Sequence, residues 1–89
     1  MMYPFMQLED DTQIVHSEIL EQEKVKVYIE RPIEGGFQSA ACYLPGYDWQ
    51  EIVGFNDEDI ERFQEIIEST AHLIIKFAKN GGFDNASSF

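Results

Sequence analysis

The sequence predicts an α+β fold, an antiparallel β-meander of three to four strands packed against one long C-terminal α-helix. Three observations carry this. Apolar and polar residues alternate through the first half of the chain, Gly and Pro punctuate those runs near residues 31–36 and 45–46, and from residue 56 the apolar period changes to steps of three and four. A chain of 89 residues has room for one core. The expected layout is a single domain 1–89 with an N-terminal segment (1–12), a sheet (13–54), a helix (56–80) and a tail (81–89).

The opening Met1-Met2-Tyr3-Pro4-Phe5-Met6 is apolar but short, lacks a basic flank and runs into acids, so a secretory signal is not expected. Residues 1–12 carry no strand expectation of their own. Residues 13–20 are β-rich, and residues 23–30 set Val25, Val27 and Ile29 against Lys24, Lys26 and Tyr28, a pattern that pairs the two runs as a hairpin. Arg31-Pro32-Ile33-Glu34-Gly35-Gly36 should then break the strand, because proline lacks the amide donor and glycine accepts positive φ. Residues 37–44 alternate again. Their small side chains suit a central strand crowded by a helix, with Cys42 buried. After the Pro45-Gly46 turn, residues 47–53 offer a shorter fourth strand around Trp49, Ile52 and Val53.

Asn56 is a good N-cap, Asp57, Glu58 and Asp59 complement the positive end of a helix dipole, and Phe55 is placed for a hydrophobic staple with Ile60. The apolar stripe continues through Phe63, Ile66, Ile67, Ala71, Ile74, Phe77 and Ala78, opposite Glu61, Glu65, Glu68, His72, Lys76 and Lys79. Asn80-Gly81-Gly82 should supply a left-handed stop, with Phe83 folding back on the helix end. A helix over 57–80 would span about 36 Å at 1.5 Å per residue, longer than a narrow sheet can cover. Because residues 73–78 are apolar on more than one face, Leu73, Ile75 and Phe77 are expected to be covered by the N-terminal segment, the tail or a second subunit, with a homodimer favoured.

Acids outnumber bases 17 to 6, a formal charge of −11. Clustered cations are needed to bind phosphate backbones, so this chain alone is not expected to bind nucleic acid. A basic protein would instead be attracted and steered. The aromatics Tyr28, Phe37, Tyr43, Tyr47 and Trp49 could form a stacking platform, but platforms for single strands come with cationic grooves. One cysteine excludes an internal disulfide and a multi-thiolate zinc site, which suits a reducing, cytoplasmic home. No run approaches the roughly 18 apolar residues of a membrane span.

No residue set announces catalysis. His16 and Glu18 fall on one side of a strand and could orient an imidazole for base or metal chemistry, but a solvent-facing edge strand with a polar side is the expected reading. Cys42 lacks the polar setting of a nucleophile. Gly35-Gly36 is followed by a strand where a phosphate loop needs a helix. No cofactor and no enzymatic activity are expected.

The stretch from Val27-Tyr28-Ile29-Glu30 through Glu34-Gly35-Gly36-Phe37 and Leu44-Pro45-Gly46 to Gly54-Phe55-Asn56-Asp57-Glu58 resembles the core of HicB-type antitoxins, the small partners of HicA-type ribonucleases. It covers about residues 25–75. Three departures stand beside it: the 46–54 connector is longer, a strand-bearing extension of 20 residues precedes the match, and no DNA-binding segment follows the helix. The resemblance implies an acidic module that neutralises a small basic protein, such as a toxin. Asp10, Asp11, Glu30, Glu34, Asp48 and Glu51 are the expected contacts, with Trp49 as an aromatic anchor. The alternative is a stand-alone homo-oligomer joined through Leu73, Ile75 and Phe77.

Overall fold

The computed structural model describes residues 1–80. Strands β1 (Met2–Gln7), β2 (Gln13–Ser17), β3 (Val25–Ile33), β4 (Gly36–Leu44) and β5 (Asp48–Val53) precede α1 (Asp57–Lys79), the one α-helix among the described residues. The sheet is an antiparallel meander in the order β1-β2-β3-β4-β5, so the α+β expectation holds with five strands in place of three or four.

Alternation decides which face is covered. Val25, Val27 and Ile29 are fully buried while Lys26, Tyr28 and Glu30 between them are partly exposed. Register pairs Val25 with Leu44, Val27 with Cys42 and Ile29 with Ala40, and Ile14 with Ile29, so all lie on one side. Onto that side α1 lays Phe63, Ile67, Ile74 and Ala78. Ala40 and Cys42 of β4 belong to the same core.

The fifth strand is β1. Its partner is set by a hairpin over residues 8–12, closed by Leu8 N–H donating to the Thr12 carbonyl at 2.8 Å, with Asp11 at φ 65°. Pro4 obscures the strand pattern in sequence, yet is tolerated because β1 is an edge. By pairing with β2, it turns that strand from an edge into an interior one. Strand β2 ends at Ser17, short of residue 20, and the Ser17 hydroxyl accepts the Lys26 amide at 2.9 Å.

Strand β3 also departs from expectation, running through Arg31 and Pro32 to Ile33, so the turn contracts to Glu34-Gly35 with Gly35 at φ 87°. In β5, Ser39 opposes Val53 and Ala41 opposes Gln50, which leaves Glu51 (φ 56°) and Ile52 in a bulge across from Ala40.

At the start of α1 the Asp59 amide donates to Asn56 Oδ1 at 2.9 Å and the Asn56 amide to Asp59 Oδ2 at 3.2 Å, a reciprocal capping box. Phe55 stacks edge-on against Phe63, ring centroids 4.9 Å apart. At the far end Asn80 closes the last turn on the Lys76 and Phe77 carbonyls with φ −93°, not in the left-handed region. The expected roles of Gly81, Gly82 and Phe83 lie outside the described residues.

Part of the second apolar face of α1 is covered from within the chain. Phe77 meets Phe5 of β1 at 6.2 Å and Ile75 packs on the core, while Leu73 stays exposed.

Gly54 joins sheet to helix at φ 86°, and a Cβ there would lie 2.8 Å from Gln38 Cγ. Gly54→Ala should therefore cost roughly 1–3 kcal/mol in urea unfolding. Gly46→Ala, where an added Cβ meets nothing within 4 Å, should leave the midpoint almost unchanged.

Candidate functional site

Helix α1 occupies one face of the sheet; the opposite face carries no other element among the described residues. Register gives the make-up of this open face. One row runs Pro4, Val15, Tyr28, Ala41, Gln50; flanking rows hold Lys26, Tyr43 and Asp48 on one side and Glu30, Ser39 and Val53 on the other, with Pro32 and Phe37 beyond. Phe37 is 60% exposed and Val53 57%. They sit diagonally across Ser39, within reach of one another.

Lys26 is the only cation in these rows, and its surroundings show what the face accepts. Its Nζ lies 5.9 Å from the ring centroids of both Tyr28 and Tyr43 and 3.6 Å from Glu51 Oε1. The Tyr28 hydroxyl donates to Glu30 at 3.2 Å. A primary ammonium thus rests between two aromatic rings and a carboxylate, an arrangement that favours cations through ring quadrupole and charge together.

Topology also sorts the charge. In a meander the β1–β2 and β3–β4 turns fall at one end, and the exit from β5 into α1 falls there too. That end gathers Glu9, Asp10, Asp11, Glu34, Asp57, Glu58 and Asp59, whereas Lys76 and Lys79 lie at the other end of α1. Phe37 and Val53 stand at the acidic end.

The expected contact residues are divided between the two faces. Glu30 and Asp48 lie in the rows of the open face, where Glu51 reaches Lys26. Asp11 and Glu34 are exposed in the two turns of the acidic end. Trp49 is turned toward the helix, where its Nε1 donates to Gln64 Oε1 at 2.7 Å, so it is not a free anchor; its register partner Cys42 is on the covered side. Tyr28, Phe37 and Tyr43 do share a face, without Trp49.

Asp10 is likewise engaged within the chain, held at the surface in a hub around Arg31. Residue 31 continues the parity of Val25, Val27 and Ile29, so its side chain lies on the helix side and is 19% exposed. Its Nε donates to Gln38 Oε1 at 2.7 Å and its Nη1 to Asp10 Oδ2 at 3.3 Å; Nη2 is 3.6 Å from Asp59 Oδ2, and the guanidinium lies 5.0 Å from the Phe55 ring centroid. Gln38 in turn donates to the Gly54 carbonyl at 2.8 Å, and Arg62 reaches Asp10 at 3.7 Å. Arg31 therefore ties the β1–β2 turn, the sheet and the cap of α1 together, a role masked in sequence by the Pro32 that follows it. Thr12 holds the Asp10 carboxyl below the usual carboxylate range, its side chain first and then its amide, which donates to Oδ1 at 3.3 Å. Arg31 and Arg62 add to this, and burial opposes it.

His16 is fully buried, against the solvent-facing expectation, because its register partner Val27 puts it on the helix-covered side of the sheet, where Tyr3 and Phe5 of β1 flank its ring at 5.7 Å and 6.3 Å. Its Nδ1 is 2.8 Å from the Ser17 carbonyl, which can only accept, so Nδ1 carries a proton. The Glu18 carboxylate accepts from the Tyr3 hydroxyl at 3.2 Å and lies 3.8 Å from the N-terminal amine. The hydrogen bonds of His16 and Glu18 thus go to separate partners. Cys42 is fully buried, and burial first, with the Asp48 charge second, pushes its thiol up to about 12. No group of three or more His, Cys, Asp or Glu side chains among the described residues could hold a metal ion, and no described helix is long and apolar enough to cross a membrane.

No family model, curated protein or solved structure matches the chain. The resemblance to HicB-type antitoxins therefore rests on the residues quoted for it.

Two measurements check this chemistry. A depressed carboxyl contributes stability that is present above the unfolded-state value of about 3.9 and is lost as pH falls through the lower folded value. Asp10→Asn should accordingly lower the urea midpoint at pH 7, and the difference from wild type should close as pH falls through that window. The native Cys42 thiol should resist iodoacetamide at pH 8 and react promptly once the chain is unfolded in urea.

Proposed function

We propose that this chain is a small protein-binding module that captures a basic protein partner and regulates it by covering its cationic surface. The observation that carries the reading is the concentration of carboxylates at one end of the molecule, where Asp11, Glu34, Asp57 and Glu58 are exposed. A formal charge of −11 on 89 residues produces a field that steers a cationic protein and repels nucleic acid. The resemblance to HicB-type antitoxins supports the same class of partner, a small basic ribonuclease being the kind it implies. Binding, not catalysis, is the activity on this reading. Asp10 and Trp49 support the fold, and the contacts fall to Asp11, Glu30, Glu34, Asp48 and Glu51.

Where an adjoining reading frame encodes a small basic protein, that protein is the partner to test by calorimetry. The triple reversal Asp11→Lys, Glu34→Lys and Asp48→Lys should weaken binding by roughly tenfold or more and flatten its salt dependence. Absence of binding by the wild-type chain, or an affinity indifferent to both the reversals and salt, would sink this reading.

A further inference from the structure

The open face of the sheet combines features that are not all needed for folding. Its aromatic and apolar side chains face away from α1, and Phe37 and Val53 remain more than half exposed at the acidic end. Exposed apolar groups beside one another on an otherwise charged small protein mark interaction surfaces more often than scattered single residues do. Both outer strands are meanwhile guarded against pairing, β1 by Pro4 and β5 by the bulge at Glu51. Association by strand addition is thus discouraged at the edges, and the face is left as the surface to meet.

The charge around that face selects the occupant. Glu30 lies within it on the central strand, Asp48 and Glu51 lie along its β5 edge, Glu34 stands in the turn beside Phe37, and Lys26 is already matched with Glu51 and two tyrosines. A second copy of the same chain would bring its own carboxylates onto these. A cationic segment would bring the complement.

We infer that the helix-free face of the sheet is the docking surface, taking a segment of a basic protein whose apolar side chains cover Phe37 and Val53 and whose arginine or lysine side chains lie over Tyr28 and Tyr43 against Glu30 and Glu51. This rests on the protein-binding reading above and assigns it a face. Lys26 is the internal precedent: its ammonium already occupies such an aromatic and carboxylate setting, and an incoming cation finds the same kind of contact alongside it.

The test is an amide chemical-shift titration of the intact, isotope-labelled chain with a synthetic peptide of alternating arginine and leucine, at physiological ionic strength. The expected shifts gather on Lys26, Tyr28, Glu30, Phe37, Tyr43 and Val53, and a matched glutamate and leucine peptide produces none. Phe37→Ser, at an exposed position where folding is undisturbed, should weaken binding at least about fivefold, while Glu65→Lys on the exposed side of α1 should change it less than about twofold. Shifts centred on α1, shifts spread evenly over every acidic segment, equal binding of the glutamate peptide, or a silent Phe37→Ser would overturn the assignment of the face and leave the protein-binding reading standing. No binding of the cationic peptide at all counts against both. A dimer that forms without peptide and is dissolved by Phe37→Ser would give the face to a second copy and overturn the inference.

Discussion

The contact on which the rest depends is that of Phe63, Ile67 and Ile74 of α1 with Ile14, Val25, Val27, Ile29, Ala40 and Cys42 of the sheet. This contact buries one face of a five-stranded sheet with a single helix of 23 residues. No further helix among the described residues lies over the other face. The open face then has to be tolerable in water, which β3 manages by alternating Lys26, Tyr28 and Glu30 there. Tyrosine, lysine and glutamate are side chains that pack along their stems and keep a polar end wet.

Holding helix to sheet at the acidic end requires a cation in the middle of many carboxylates, and Arg31 supplies it. Its planar guanidinium reaches Gln38, Asp10 and Asp59 at once while lying over Phe55. A lysine could not make that fork. Asp59 is simultaneously a member of the capping box, so the ion pair and the helix start reinforce each other. The acids not engaged in this way, Asp11, Glu34, Asp57 and Glu58, remain exposed. Local neutralisation at the hub therefore coexists with a strong field outside it.

What could be read from sequence was whatever depends on near neighbours. The alternation in β3 and β4, the Asn56 cap and the helical stripe ending at Ala78 are local signals and predict their elements well. Strand β1 was hidden because its evidence lies in a pairing with β2, and Pro4 obscures the only local pattern it has. His16 was missed with it, since its side of the sheet follows from the pairing of β2 with β3, and Tyr3 and Phe5 of β1 close around its ring. The direction of Trp49 depends on the register of β5 against β4, which pairs it with Cys42 and leaves no mark in composition. Arg31 looked like part of a turn because Pro32 follows it, although its parity with Val25, Val27 and Ile29 was available as the signal. For the candidate face, the acids Glu30, Asp48 and Glu51 were legible and the grouping of Tyr28, Phe37 and Tyr43 partly so; that they stand opposite the helix required the register.

Between a second copy and a foreign protein as occupant of the open face, the decision turns on charge, not area. Two copies meeting face to face would place Glu30, Asp48 and Glu51 of one against the same residues of the other, with Lys26 the sole cation of the described rows to offset them, already engaged by Glu51. Like charges brought together at an interface cost several kcal/mol, and desolvating them adds to that cost. A cationic partner replaces the repulsion with attraction, and each carboxylate gains a counter-charge that offsets part of the cost of losing water. The apolar contribution of Phe37 and Val53 is available to either occupant and so cannot discriminate between them. Their carboxylate surroundings can, and they favour a protein unlike this one.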